Sequence, residues 1–211
     1  MDDANGQMGS AGPGWLLLIY RVPGEPSRVR VGVWRELKRL GGLYLQSACC
    51  ILPARPGLQD ALTTVRARIA ADGGTSTLLY VAAQPPDAED ELVSAFRDLA
   101  SKEYAEVIEE CDTKFVREIE FERFRGNYTF EEVEEIRADL DKIRRWLDRV
   151  ITRDFFGARG RAEAHAWLAH CAGLLEAFEA DVYERTAGGR DDHSPPAPMP
   201  IKPPPTSPPA G

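Results

Sequence analysis

Six short segments between residues 15 and 84 follow one another in an order that few folds accommodate. The first, WLLLIYRV, is apolar and partly β-branched and stops at Pro23-Gly24, which predicts a buried strand followed by a turn. LYLQSACCILPA holds two short apolar runs around Gln46-Ser47, which favours a hairpin or a kinked strand, and TSTLLYVAAQ is typical of another strand. Two segments with helical spacing separate these strands, so the predicted order is β-α-β-β-α-β.

The two amphipathic helices have clear boundaries in the sequence. Pro26-Ser27 provides a start for the first helix, which ends at Gly41-Gly42, and the second ends at Asp72-Gly73-Gly74. Their apolar residues recur every three or four positions and therefore lie on one face: Val29, Val33, Leu37 and Leu40, then Leu58, Leu62, Val65 and Ile69. This pattern matches a ferredoxin-like sandwich over residues 14–84.

Strand signals end at Pro85-Pro86, and acidic helices follow. The first is predicted from about residue 87 to 125 with a break near Asp112-Thr113, and the third from about 161 to 185. Thr129 followed by Glu132 forms the sequence of a capping box and predicts the start of the second. All three carry apolar stripes with steps of three and four, which fits a self-contained bundle or a dimer interface.

The predicted fold class is therefore α+β, a ferredoxin-like domain followed by an acidic helical segment. We expect residues 1–13 to be disordered, 14–84 and 85–185 to be folded, and the proline-rich residues 186–211 to be disordered. No apolar run approaches the roughly 18 residues of a membrane span, so a cytoplasmic protein without membrane contact is predicted. Four cysteines without a disulfide-like arrangement favour reduced thiols.

Charge divides the chain in two. Residues 1–84 carry nine Arg or Lys against six Asp or Glu, whereas residues 85–185 carry fifteen against twenty-six. The whole chain has a net charge of −8, which as an average argues against nucleic-acid binding. The division indicates either separate roles for the two parts or attraction between them.

A basic group lies in and beside the first helix: Arg21, Arg28, Arg30, Arg35, Lys38 and Arg39. Arg28, Arg35 and Arg39 are spaced by seven and four residues, which places them in about one stripe. Such a stripe is suited to contact phosphates, and these six residues are the predicted DNA-binding site. The alternatives are a solvated helix face or internal pairing with the acidic helices.

Other candidate residues favour structural roles. Trp34 lies one step from the apolar line of its helix, which predicts packing at the boundary between the two regions. Cys49 and Cys50 are expected on opposite faces of a strand, with at least one buried. His165 and His170 are five residues apart, unlike metal ligands on a helix. We predict no cofactor, no metal, no catalytic residue and no enzymatic activity, because no catalytic motif is present.

Three long motifs resemble the amino-terminal domain of the chromate resistance protein ChrB family: WLLLIYRVPGEPSRVRVGVWRELKRLGGLYLQ, LASKEYAEVIEECDTKFVREIEFERFRGNYTFEEVEE and RRWLDRVITRDFFGA. The resemblance spans about residues 14–184. It implies a chromate-responsive transcriptional regulator that binds promoter DNA of a chromate efflux operon through basic amino-terminal residues. Longer members continue into a second domain linked to chromate resistance.

The early segment is also similar to the ferredoxin-like domain of phenylacetate-type repressors and of CRISPR-associated nucleases. In those nucleases an acidic metal ligand follows the tyrosine of the first strand, and here that position is Arg21. A cation cannot ligate Mg²⁺, so the resemblance favours the scaffold and not a nuclease centre.

The function predicted from the sequence is thus a DNA-binding regulator of chromate efflux that forms a homodimer through sheet edges or helical stripes. The alternative is a non-enzymatic interaction module whose partner is a separate chromate-sensing domain. Direct binding of chromate, or its reaction with the Cys49 and Cys50 thiols, is a further option.

Overall fold

The computed structural model describes residues 14–24, 27–82 and 84–188. Its first part contains β1 (Trp15–Arg21), α1 (Ser27–Arg39), β2 (Leu43–Gln46), β3 (Cys49–Pro53), α2 (Leu58–Ala71) and β4 (Thr75–Val81). The strands form one antiparallel sheet in the order β2-β3-β1-β4. The predicted α+β class is confirmed. The predicted disorder of residues 1–13 and the helix start at Pro26 fall outside the described residues.

One face of the sheet packs against α1 and α2. Side chains alternate along a strand, so Leu16, Leu18 and Tyr20 of β1 face these two helices. The apolar residues predicted for the inner faces of the helices meet them there, and Val33, Leu37, Leu62 and Ile69 are fully buried. The outward face of α1 is thereby fixed by the burial of its inward face.

The other face of the sheet packs against the helical part of the chain. Trp15 points to this side and stacks on Phe96 with ring centroids 5.6 Å apart, while its Nε1 donates a hydrogen bond of 2.7 Å to Glu89. Phe155 and Phe156 complete this aromatic cluster. The two parts of the chain consequently share a core.

The helical part contains α3 (Pro86–Glu110), α4 (Val116–Arg125), α5 (Phe130–Arg153) and α6 (Arg161–Gly188). The predicted break near Asp112-Thr113 is a π-helical turn, Cys111–Phe115, that joins α3 to α4 without ending the helix. Helix α6 includes residues 186–188, which were predicted to belong to the disordered tail; residues 189–211 lie outside the described part.

The predicted cap of α5 forms in part. The Thr129 hydroxyl accepts a hydrogen bond of 3.2 Å from the Glu132 backbone N–H, as in a capping box. The Glu132 carboxylate, however, accepts a hydrogen bond of 3.0 Å from the Asn127 side-chain amide. Asn127 thereby ties the preceding loop to the first turn of α5.

The apolar stripes of the helices converge within the chain. The spacing of apolar residues in α5 predicts six inward positions, and all six are buried: Val133, Ile136, Leu140, Ile143, Leu147 and Val150. Cys111, Phe115, Cys171 and Phe178 lie in the same core. Of the two arrangements that fit the stripes, the fold forms the self-contained bundle. None of the helices in the described ranges is apolar over a length that would cross a membrane.

Candidate nucleic-acid interface

Helix α1 displays its basic residues because its other face is occupied. Val29, Val33 and Leu37 are buried against the sheet, so residues on the opposite side face solvent. Arg28, Arg30, Arg35 and Arg39 are exposed, and Lys38 is half-buried. We call the exposed residues Arg28, Arg35 and Arg39 the arginine row.

Carboxylates of the helical part do not pair with these cations among the described residues. Arg39 forms an ion pair of 2.5 Å with Glu36, which lies on the same helix. This hydrogen bond lowers the pKa of Glu36 and raises that of Arg39. Because the pair is exposed, it contributes about 0 to 1 kcal/mol. The internal pairing that the sequence left open is therefore not formed by the predicted site residues in the described part.

The acidic helices instead pair with their own cations. Arg123 lies 3.1 Å from Asp181, and Arg137 lies 2.7 Å from Glu179. These pairs join α4 and α5 to α6. These carboxylates of α6 are thus paired within the helical part and not with α1.

The first turn of α1 carries cations where a helix favours anions. In the described helix, the first turn contains Arg28 and Arg30 and has no acidic residue. The helix dipole places partial positive charge at this end, so two arginines there are electrostatically unfavourable for the helix alone. The same arrangement gives a strong positive potential for an incoming anion.

Arg21 lies apart from the arginine row. It is the exposed last residue of β1, opposite Thr75 of β4. The loops Pro23-Gly24 and Gly73-Gly74 form a groove of about 330 Å³ with it. The six predicted residues therefore do not form a single stripe, and their contact with DNA stays a prediction.

Arg68 is a further cation of this surface that sequence reasoning missed. A Cβ placed on Gly32 would lie 2.6 Å from Nη2 of Arg68, so the guanidinium of α2 lies directly over this glycine of α1. Arg68 also contributes to the lowered pKa of Glu36. The only local signal was a glycine within an otherwise regular helix, which often marks a close approach of another group.

Trp34 corrects one prediction. It was expected at the boundary between the two regions, but it is 47% exposed and does not belong to the aromatic cluster that joins them. Arg30, Trp34 and Lys38 follow one another at intervals of four residues and so form a second row. Beside Trp34 a groove of about 420 Å³ separates α1 from the β2–β3 hairpin.

The cysteines are placed as structural residues. Cys50 is fully buried, and burial raises the pKa of its thiol to about 12, so little thiolate exists at neutral pH. Cys49 is half-buried on the opposite face of β3, and Cys111 and Cys171 lie in the bundle core. The fold therefore gives no support to thiol chemistry at Cys50.

Gly32→Ala tests the placement of Arg68. We expect the variant to gain up to about 1 kcal/mol of folding stability, because alanine is the better helix former. The new methyl group displaces only the flexible end of Arg68. Chemical denaturation of the variant and the parent chain measures this. A loss of stability would show that Arg68 is held rigidly at this position.

Comparisons with known proteins match most of the chain to one family model and to one relative. Residues 30–189 match the family model described as Protein ChrB, N-terminal. Protein ChrB of Cupriavidus metallidurans is 29% identical over 152 residues, which are 71% of this chain and 43% of that protein. The chain thus matches less than half the length of this relative. No solved structure matches.

Proposed function

The chain belongs to the family of the ChrB amino-terminal domain, and from this premise we propose that it is a DNA-binding regulator of chromate-resistance genes. The observation that carries the proposal is the arginine row of α1, which is exposed and free of carboxylates from the helical part within the described residues. Regulation by chromate, and efflux as the controlled process, come from the family resemblance alone.

Phosphates of duplex DNA are suitable partners for this surface. Arg28, Arg35 and Arg39 lie along about three turns of α1, or roughly 16 Å, because an α-helix rises about 1.5 Å per residue. Their planar guanidinium groups bind phosphate oxygens through paired hydrogen bonds. Each contact releases counterions from the DNA, which offsets the overall negative charge of the chain. Most of that negative charge belongs to residues 85–185 of the helical part.

A homodimer would double this surface. Strand β4 is an edge of the sheet, and its seven residues include no charged side chain. Leu79 is 44% and Tyr80 is 64% exposed beside this edge. An uncharged free edge is suited to pairing with the same edge of a second copy, so we propose that β4 forms the dimer contact.

A band-shift assay with the DNA upstream of the chain's own operon tests the regulator. We expect a retarded complex that resists unrelated competitor DNA and is released by chromate. Equal competition by unrelated DNA would contradict sequence-specific regulation. Retention that chromate does not change would contradict chromate response by this chain.

The interaction module is the second candidate. Phe124 is 89% exposed on α4, and Phe130 is 56% exposed at the start of α5. Exposed aromatic residues are characteristic of protein contacts. If this function holds, Phe124→Ala weakens binding of a chromate-sensing domain supplied as a separate protein. DNA retention by the same variant would be unchanged.

A further inference from the structure

The groove beside Trp34 combines an aromatic wall with polar groups and a cation. Trp34 and Val31 of α1 form one side, and Tyr44, Gln46 and Ser47 of the hairpin form the other. Arg30 lies at its margin and is exposed. A volume of about 420 Å³ is within the usual range of small-ligand sites.

Two tyrosines form the inner part of the groove. Their hydroxyl oxygens, on Tyr20 and Tyr44, are 3.0 Å apart, so one hydroxyl donates to the other. Burial raises the pKa of both, and the hydroxyls are therefore protonated at neutral pH. The accepting hydroxyl retains its own proton, which is available to a ligand. Gln46 adds an amide that both donates and accepts.

A strained turn holds the hairpin in place. Ala48 has φ of +60°, a left-handed conformation that is unfavourable for a residue with a Cβ. Its carbonyl accepts a hydrogen bond of 3.0 Å from the backbone N–H of Tyr20. Because this bond ties the turn to β1, the hairpin wall is fixed relative to Tyr20 at the inner end of the groove.

We propose that this groove binds one nucleotide whose base has left the DNA stack and lies against Trp34. The inference rests on the proposed DNA-binding function for the source of that nucleotide. Arg30 and Lys38 flank Trp34 on the same helix face, and alternating cations and exposed aromatics bind the backbone and bases of unpaired strands. The hydroxyl of the tyrosine pair and the Gln46 amide reach the edge of the base, where hydrogen-bonding groups are arranged.

The arginine row makes a nucleotide a better occupant than an uncharged molecule. The row lies about a third of a turn around α1 from Trp34, so it adds positive potential beside the groove without lining it. A base that leaves the stack there needs an aromatic partner to replace its neighbours, and Trp34 is the exposed aromatic residue of α1.

Two labelled duplexes of one sequence test the proposal, one fully paired and one with a single unpaired thymine. Fluorescence anisotropy at a fixed salt concentration is expected to show about tenfold tighter binding of the second. Trp34→Ala should remove this preference and leave affinity for the paired duplex within about twofold, while Trp34→Phe should keep most of it. Phe124→Ala, which removes an exposed aromatic from α4, is the matched control and should keep the preference.

A fluorescence titration with thymidine monophosphate tests the groove without depending on DNA binding. The nucleotide should quench the fluorescence of the parent chain saturably and leave that of Trp34→Phe unchanged, because Trp15, Trp146 and Trp167 lie outside the groove. Quenching without binding of either duplex would retain the nucleotide groove and overturn the proposed function. Binding of both duplexes with equal affinity, without quenching, would overturn the groove and retain the function.

Discussion

Replacing Arg35 and Arg39 by glutamate weakens DNA binding by about a hundredfold or more on our account, since opposite charges near the surface interact by roughly 1 to 4 kcal/mol each. Both side chains are exposed members of the arginine row. Each replacement removes a phosphate contact and adds repulsion. The fold should tolerate the change, because the single ion pair that it breaks, with Glu36, is exposed and weak. Titration of labelled duplex measures the effect.

A second double variant controls for net charge. Arg145 and Arg149 are exposed residues of α5, and their replacement by glutamate changes the charge of the chain by the same amount. We expect this control to lower DNA affinity by about threefold or less, because its charges belong to a helix that carries none of the proposed phosphate contacts and are screened by salt. Equal losses in both variants would assign the effect to overall charge. A lower unfolding temperature for the α1 variant with unchanged DNA affinity would assign the row to an internal interface.

Trp15→Ala should lower the free energy of unfolding by about 3 to 5 kcal/mol. The side chain is fully buried between the sheet and the helical part, and it stacks on Phe96. Alanine leaves a cavity in an aromatic cluster and removes the hydrogen bond to Glu89. Urea denaturation followed by circular dichroism measures the free energy of unfolding.

Trp34→Ala is the matched control for this loss. It makes the same chemical change at a half-exposed position, so a cost of about 1 kcal/mol is expected. The two parts of the chain should also unfold together in the parent protein, because the Arg55 guanidinium, in the loop after β3, donates a hydrogen bond to the Phe155 carbonyl across the same junction. A cost below about 1.5 kcal/mol for Trp15→Ala would contradict a shared core.

The elements and inward faces were largely predictable from the sequence. Helical spacing alone assigned all six buried residues of α5. An α-helix repeats every 3.6 residues, so a helix that packs against one core buries residues at steps of three and four. The order of segments likewise predicted the sheet. The packing of residues 85–185 against the sheet was harder to predict. The spacing of apolar residues did not reveal that Phe96 and Phe155 cover the second face of the sheet. That contact joins residues far apart in the chain.

The site was predictable only within α1. Spacing placed the arginine row correctly on an outward face, but a helical pattern cannot show which other element lies beside that face. For this reason Arg68 was missed and Trp34 was misplaced. Charge counts also could not show whether carboxylates of the helical part pair with cations of the ferredoxin-like part or with cations of their own part. Only the positions of the carboxylates decided this question.

The central claim is that cations of α1 remain free to bind phosphates on a chain that is anionic overall. The dependence of DNA affinity on salt concentration measures this most directly, because each phosphate contact contributes about −0.9 to the slope of log affinity against log salt. Four contacts, from Arg28, Arg35, Lys38 and Arg39, predict a slope of about −3 to −4. A slope near zero, or the absence of DNA binding at low salt, would contradict the account.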